Sequence, residues 1–516
     1  MRKRYTLLFA AMLTLRVASG QSGVPDPDFG NDGIVILQPG DLHDVAYDIM
    51  ALDDNSSLIC GVARIEGSNA IFLAHLLEDG SLDEAFGTDE GYTFISIGEE
   101  AYGYALGRDS EGRIYVAGTA YPTFAQSVVA VVRTDANGQP DASFGTDGVL
   151  TIPVGSGDAV IDGLAIAGDD HAVLAGSAIG DDFIRDAMLM RLTPQGELDA
   201  GFGSGGIAIL DGFSSESKLN DLALLDDGSI LGVGYATSGF EYRSLAWMVD
   251  ATGLPVAQFG ANGVALLTIG TNGSVAHGMA VRGTDIYVTG AAIGNGDDDI
   301  YVARLRDNGN FSPLFNGGSP RLIDLNDMEL GLDAAIGVGG NVIICGTTGA
   351  PGFASPRDFF VARLTSSGDL VQSFGTDGVA VTSIQPDFDD ANAVAVQADG
   401  KIITAGFTSG FSAQTDNDAA VVRYAVDWVL GEQASIQRQG LRIWPNPCAG
   451  AALSVAHGAT GAVEARLVDA AGRVARTEVR TCDPITLDMT GVADGRYILE
   501  LRSDAGIQRT CVMVQR

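Results

Sequence analysis

Lysine is nearly missing from this chain: three of its 516 residues, Lys3, Lys218 and Lys401. Arginine brings the basic residues to 30, against 66 acidic ones, for a net charge of −36. A surface of that sign repels phosphate backbones and anionic lipid, so no nucleic acid is expected as a partner. Cysteine is scarce too, and five in a chain this long cannot make a disulfide framework. No CxxC occurs and the five histidines are scattered, so the ligands of a zinc site are not there. Beyond the first twenty residues no uninterrupted apolar run reaches eighteen, which leaves no transmembrane segment in the mature chain. No helical period stands out either. GxSxG, HExxH and P-loop patterns are all missing, and no serine, histidine and acid suggest a group.

What is abundant is apolar or small. Hydrophobic residues make up 46% and glycine numbers 69, with no Gly-X-Y period. Tight turns between short strands are the natural use of so much glycine. Residues 1–20 read as a signal peptide: Arg2, Lys3 and Arg4, an apolar run from Tyr5 to Leu15, and small Ala18-Ser19-Gly20 before Gln21. The expected route is Sec export to the periplasm. Charge divides the chain: +4 in the first twenty residues, +1 over 441–516, and −41 for 21–440. Cys60 and Cys345 hold one repeat position and read as buried small hydrophobes, whereas Cys448, Cys482 and Cys511 leave room for one pair near the C-terminus.

The dominant pattern is a repeat. Phe-Gly recurs at Phe29, Phe86, Phe144, Phe202, Phe259 and Phe374, with Phe315-Asn316 a worn copy, at steps of 57, 58, 58, 57, 56 and 59 residues. Such a period means one supersecondary unit stacked many times. Residues 374–424 show four short β-type runs joined by Asp-Gly turns: D (Val379-Ala380-Val381), A (391–396), B (401–405) and C (419–423). Four strands per unit, seven times, is the arithmetic of a β-propeller blade. The chain begins with a D run, Ile34-Val35-Ile36-Leu37, and leaves the array after a C run, so the first D run can complete the last blade. An open solenoid would gain nothing from that offset. The fold class expected is all-β, a seven-bladed propeller, with six or eight blades as alternatives, over residues 24–427.

The repeat resembles the bacterial delta-60 repeat. The shared marks are clearest as Ala393-Val394-Ala395, Asp399-Gly400-Lys401-Ile402, Ala405-Gly406, Val361-Ala362-Arg363-Leu364 and Phe374-Gly375-Thr376-Asp377-Gly378. That resemblance implies a fold pattern and no activity.

Two repeat columns stand out. The C-run column reads His75, Arg133, Arg191, Met248, Arg304, Arg363 and Arg423; eight residues after the first three come Asp83, Asp141 and Asp199. A structural Arg–Asp clip is expected, with Asp26 serving Arg423 across the closure, and with Arg304 and Arg363 lacking the partner at that offset. The second column, Asp48, Asp162, Asn220, His277 and Asn392, is read as lying just before run A, which is innermost in a propeller. These side chains would ring one channel mouth, a ligand site by position; the competing use is satisfying local turn backbone.

The A–B and C–D connections barely vary, whereas the D–A and B–C connections on the opposite face differ in every unit. Recognition belongs on that variable face. Its acidic clusters hold Asp297, Asp299, Asp387 and Asp389, oxygen donors of the kind calcium takes, although surface acidity is the commoner explanation. No other cofactor is expected.

After Tyr424 the pattern changes. Residues 428–440 form a polar linker, and 441–516 carry alternating runs with Gly turns, expected to make a small C-terminal β-sandwich. This part resembles the type A C-terminal sorting domain of the type IX secretion system, through Pro445-Asn446-Pro447, Asp469, Gly472-Arg473 and Gly495-Arg496-Tyr497. The resemblance implies a Bacteroidota-type cell, the type IX machinery as partner, and a secreted or outer-membrane-surface location. Together these readings describe an exported propeller that binds an extracellular macromolecule or glycan. The alternative is a propeller enzyme, a hydrolase or lyase acting on an extracellular polysaccharide or lactone.

Overall fold

A computed structural model describes residues 22–426, apart from 125, 214, 240, 295–297, 326–327, 350–355 and 411–416, together with 442–444, 452–456, 463–469, 474–480, 485–493, 495–503 and 506–514. The chain separates into two compact units, 1–427 and 428–516.

In the first unit the described strands form seven four-stranded antiparallel groups, each running A-B-C-D outward. The last two groups are joined into one sheet only by a parallel bridge between Arg357 and Phe388. The A strands are Leu42–Ala51, Glu100–Arg108, Ala159–Ile166, Ser217–Leu224, Ser274–Arg282, Met328–Ile336 and Phe388–Val396. Each lies beside the A strands of its two neighbours, the first beside the last, which makes a closed ring around an axial channel. The seventh blade takes its outer strand from the N-terminal segment: Ile34–Leu37 pairs antiparallel with Asn417–Tyr424, Ile34 opposite Val422 and Leu37 opposite Ala419. The architecture is a β-propeller. One difference from the sequence reading concerns run A of blade 7, which starts at Phe388 rather than 391 and so draws Asp389 and Asp390 into the strand.

The repeated Phe-Gly holds blade to blade. All seven anchor phenylalanines are buried. The residue after the Phe donates its N–H to a turn carbonyl of the next blade: Gly30 to Asp79, Gly87 to Asn137, Gly203 to Thr252, Gly260 to Asn308, and even the worn Asn316 to Ser367, at 2.8–3.0 Å. At Gly138 (φ +80°) an added Cβ would lie 2.6 Å from the Phe86 ring of the preceding blade, so the Phe of one unit demands the glycine of the next.

The Arg–Asp clips form part of the same seam. Arg133 is 2% exposed, and its Nε and Nη2 each donate to Asp141 Oδ2 at 2.8 Å. Its Nη1 reaches Pro194 O in the next blade, and its guanidinium lies 4.5 Å from the Phe144 centroid. Arg191 repeats this with Asp199, Ala251 O and the Phe202 ring. Arg423 does so with Asp26, Glu78 O and Phe29 across the closure. His75 is the reduced form, 3.0 Å from Asp83 and tilted at 48° against the Phe86 ring. Met248 replaces the clip in blade 4 with an apolar contact in the Phe259 cluster. Arg304, with no acid at the eight-residue offset, pairs instead with Asp285 on strand B. Arg133→Met strands the carboxylate and three further acceptors, the Tyr115 and Ser143 hydroxyls and Pro194 O. We expect a loss of about 2–3 kcal/mol, below the ~3–5 of a fully buried pair because Asp141 keeps contact with water. Urea unfolding of Arg133→Met beside wild type checks this, and an unchanged midpoint would dispose of the clip.

The second unit has two antiparallel sheets. Arg442–Trp444, Ala452–Ala456 and Ile485–Asp488 form one; Val474–Arg480, Val463–Asp469, Gly495–Ser503 and Gly506–Val514 form the other, in that spatial order. Leu453, Val455, Ile485 and Leu487 of the first share a core with Ala465, Leu467, Leu499, Val512 and Val514 of the second, which is a small sandwich.

Candidate functional site: the channel mouth

One sequence feature aims seven side chains at the axis. Strand B of every blade carries a glycine (Gly61, Gly118, Gly176, Gly234, Gly290, Gly346, Gly406) at which an added Cβ would lie 1.8–2.0 Å from a strand A carbonyl oxygen. Only glycine permits that approach. Just past it every A strand bulges, and the extra residue turns its side chain to the channel. The Ala-Gly of the repeat is therefore the cause of the channel lining.

The bulge residues are Tyr47, Tyr104, Asp162, Asn220, His277, Leu332 and Asn392, all partly exposed. They line a cavity of about 120 Å³ together with Asp48, Asp221 and Asp333, the residues next along the strand. Asp162, Asn220, His277 and Asn392 thus share one level, as their spacing suggests. Asp48 does not: the bulge residue of blade 1 is Tyr47, and Asp48 belongs to the following level with Asp221 and Asp333. Repeat lengths vary by a residue or more, so spacing alone cannot tell adjacent columns apart.

The two levels have different work. Asn220 Nδ2 donates to Ala276 O at 2.7 Å and Asn392 Nδ2 to Ala46 O at 2.8 Å, so both clip to the next blade rather than to a local turn. Asp162 Oδ1 accepts from Lys218 Nζ at 2.9 Å, while its buried Oδ2 accepts no hydrogen bond from the described residues. Burial raises the Asp162 carboxyl and pushes the His277 imidazole down to about 4, so His277 is neutral near pH 7. At the following level Asp48 accepts from Ile49 N and from Leu106 N of blade 2, at 2.7 and 2.6 Å. Asp221 does the same with Leu222 N and Met279 N, and Asp333 with Ala334 N and Val394 N. Burial is the first cause raising these carboxyls, to about 7, 8 and 6 respectively; the Asp333 charge adds to it for Asp48 and Asp221.

Beside the mouth stands a group of tyrosines. Tyr47 and Tyr104 have ring centroids 4.8 Å apart at 58°. Tyr102 lies parallel to Tyr104 at 6.0 Å, and Tyr121 meets Tyr102 edge-on at 6.3 Å. The Tyr102 hydroxyl donates to Glu100 and accepts from Asn69 Nδ2, both at 2.7 Å. A column defined by its charged and amide side chains passes over these aromatic ones. The Tyr-x-Tyr of run A in blade 2 was the available signal.

The acidic loops resolve differently from the expectation. Asp389 is fully buried and its carboxylate is occupied, accepting from Ile384 N at 2.6 Å and from the Thr408 hydroxyl. It braces its own loop. Asp387 accepts through its backbone carbonyl from Arg357 N, and Asp297 lies outside the described residues. Asp299 instead stands with Asp324 and Glu329, their ligand oxygens within 4.8 Å of one another. Of the sorting-type marks, Asp469 and Tyr497 are cross-strand partners at the strand starting with Gly495, and the Tyr497 hydroxyl donates to Ala493 O. Pro445, Asn446, Pro447, Gly472 and Arg473 lie outside the described residues.

A family model described as a domain of unknown function (DUF5122) beta-propeller matches residues 110–144 and 397–430. No curated protein matches the chain. Among solved structures it is similar to YCF48 bound to D1 peptide, with 12% identity and a TM-score of 0.41 over 80% of this chain and 100% of that one. It is also similar to Sqt1 of Chaetomium thermophilum, with 13% identity and a TM-score of 0.41 over 78% and 99%. A third is PorZ, a surface component of the type-IX secretion system of Porphyromonas gingivalis, with 11% identity and a TM-score of 0.18 over 91% and 81%.

Proposed function

We propose that the protein is an exported, surface-displayed binding propeller of a Bacteroidota-type cell, carried across the outer membrane by its C-terminal unit. The observation that carries the binding role is the channel mouth. It joins a preformed cavity, an aromatic shelf and a carboxylate oxygen that no described residue satisfies. Most other polar groups there are already spent on holding blades together, which suits recognition better than catalysis. The delivery role is supported by the signal-like residues 1–20 and by the sorting-type marks in 441–516. A unit boundary at 427/428 and a core confined to the second unit agree with a detachable address.

The test is a chain ending at Ala434, expressed in the native cell beside the full chain. Both should carry the same folded propeller, but the shorter one should accumulate in the periplasm, resistant to protease added to intact cells. Equal amounts of the two at the surface or in the medium would remove the sorting role.

A further inference from the structure

The mouth has a chemistry that narrows its ligand, on the reading that it is a binding site. Tyr47, Tyr104, Tyr102 and Tyr121, from two neighbouring blades, stand in ring contact with one another and all are partly exposed. Tyr102 is held from both sides by Glu100 and Asn69, so this shelf is rigid before any ligand arrives. Asp162, on the A strand of the next blade, lines the same cavity as Tyr104. Its Oδ2 is a buried acceptor with no donor among the described residues, and an unfilled buried acceptor is unfavourable unless something supplies an O–H or N–H.

We propose that the mouth binds a pyranose ring of a neutral glycan, its C–H face against Tyr104 and Tyr47 and one hydroxyl donating to Asp162 Oδ2. A pyranose has what the site lacks: a flat apolar face carrying weakly positive hydrogens, matched to the negative face of an aromatic ring, with hydroxyl donors around its edge. Acidic glycans are disfavoured by the −41 charge of residues 21–440. A quaternary ammonium would suit tyrosine faces alone, but Lys218 Nζ, 2.9 Å from Asp162 Oδ1, both neutralises the carboxylate and repels a second cation. The cavity of about 120 Å³ is the space of roughly four waters at ~30 Å³ each, so it admits one hydroxyl-bearing edge of the ring, and the rest of the sugar and of its chain lies outside, over the tyrosines.

Calorimetric titration of the full-length protein tests this. The probes are neutral hexasaccharides of glucose, mannose, galactose and xylose, with oligogalacturonate and choline as charged alternatives. At least one neutral series should bind. Tyr104→Ala should weaken that binding by about tenfold or more, as truncation of a central aromatic anchor does, while Tyr104→Phe should keep it. Tyr121→Ala, on the rim, should weaken only the longer chains, and it stands in should Tyr104→Ala fail to fold. The inference is overturned if no neutral series binds, or if folded Tyr104→Ala and Tyr121→Ala both bind every neutral chain as wild type does. Binding of choline or oligogalacturonate in place of neutral chains overturns it too, while leaving the binding role intact. Release of new reducing ends from any neutral chain would instead count against the binding role itself.

Discussion

A chain lacking residues 22–37 will not fold to a stable monomer. The segment supplies the outer strand of blade 7, and without it the whole edge of Asn417–Tyr424 is left unpaired. An open edge of that kind recruits other chains. It also supplies Asp26, which meets both Arg423 and Lys401 at 2.9 Å, and Phe29, which lies under the Arg423 guanidinium. Arg423 is 1% exposed, so the deletion strands a buried cation, at about 3–5 kcal/mol. Loss of the Phe29 ring from its cluster adds another ~3–5 kcal/mol. The two costs share a neighbourhood and will not add strictly, yet together they rival the ~5–15 kcal/mol that holds a typical domain folded. Size-exclusion chromatography and thermal melting of the truncated chain should show aggregate or a noncooperative transition. A peptide of residues 22–38 added in trans should restore a cooperative melt. A truncated monomer with the full chain's melting temperature would refute the role of this closure.

That closure could be foreseen from the order of the runs, because a chain that starts with a D run and stops after a C run has complementary ends. The clip column was readable for the same reason: Arg133 and Asp141 lie eight residues apart on either side of one conserved-length turn within the repeat, and local spacing preserves such a pair. The channel lining was harder. A single bulge residue decides which side chain faces the axis, and the difference between Tyr47 and Asp48 is one position in a repeat whose length wanders from 56 to 59. Asp221 and Asp333 each stand one position past the bulge, which Asn220 holds in blade 4 and the apolar Leu332 in blade 6, so a column of polar residues does not reach them. The Asp299, Asp324 and Glu329 group was out of reach of spacing altogether, since strand pairing across blade 5 and packing onto blade 6 bring it together.

Stability should fall as the pH rises from about 6.5 to 8, against the usual behaviour of an acidic protein's paired carboxylates. Asp48, Asp221 and Asp333 have folded-state values raised to about 7, 8 and 6, whereas in the unfolded chain they ionise near ~3.9. Between those limits the folded chain holds protons that the unfolded chain has released, so each further rise in pH favours unfolding. His277 works the other way. Its folded value of about 4 lies below the ~6.5 of an unfolded histidine, so it adds stability as pH climbs to about 6.5 and nothing beyond. Asp26, Asp141 and Asp199, whose values are lowered, contribute fully above ~4 and lose that contribution only in stronger acid. Above pH 6.5 the remaining terms among these groups are therefore chiefly Asp48 and Asp221, and the ceiling is about 1.4 kcal/mol per pH unit for each. The carboxylates keep some surface open to the channel, and water there will hold the slope below that ceiling. Asp221→Asn cannot titrate. It gives up the bond from Met279 N or Leu222 N and is less stable than wild type at pH 6, but its slope from 6.5 to 8 should be visibly shallower. Urea midpoints at half-unit steps decide the matter: parallel lines for wild type and Asp221→Asn would mean that Asp221 is ionised throughout, its two backbone amides outweighing its burial.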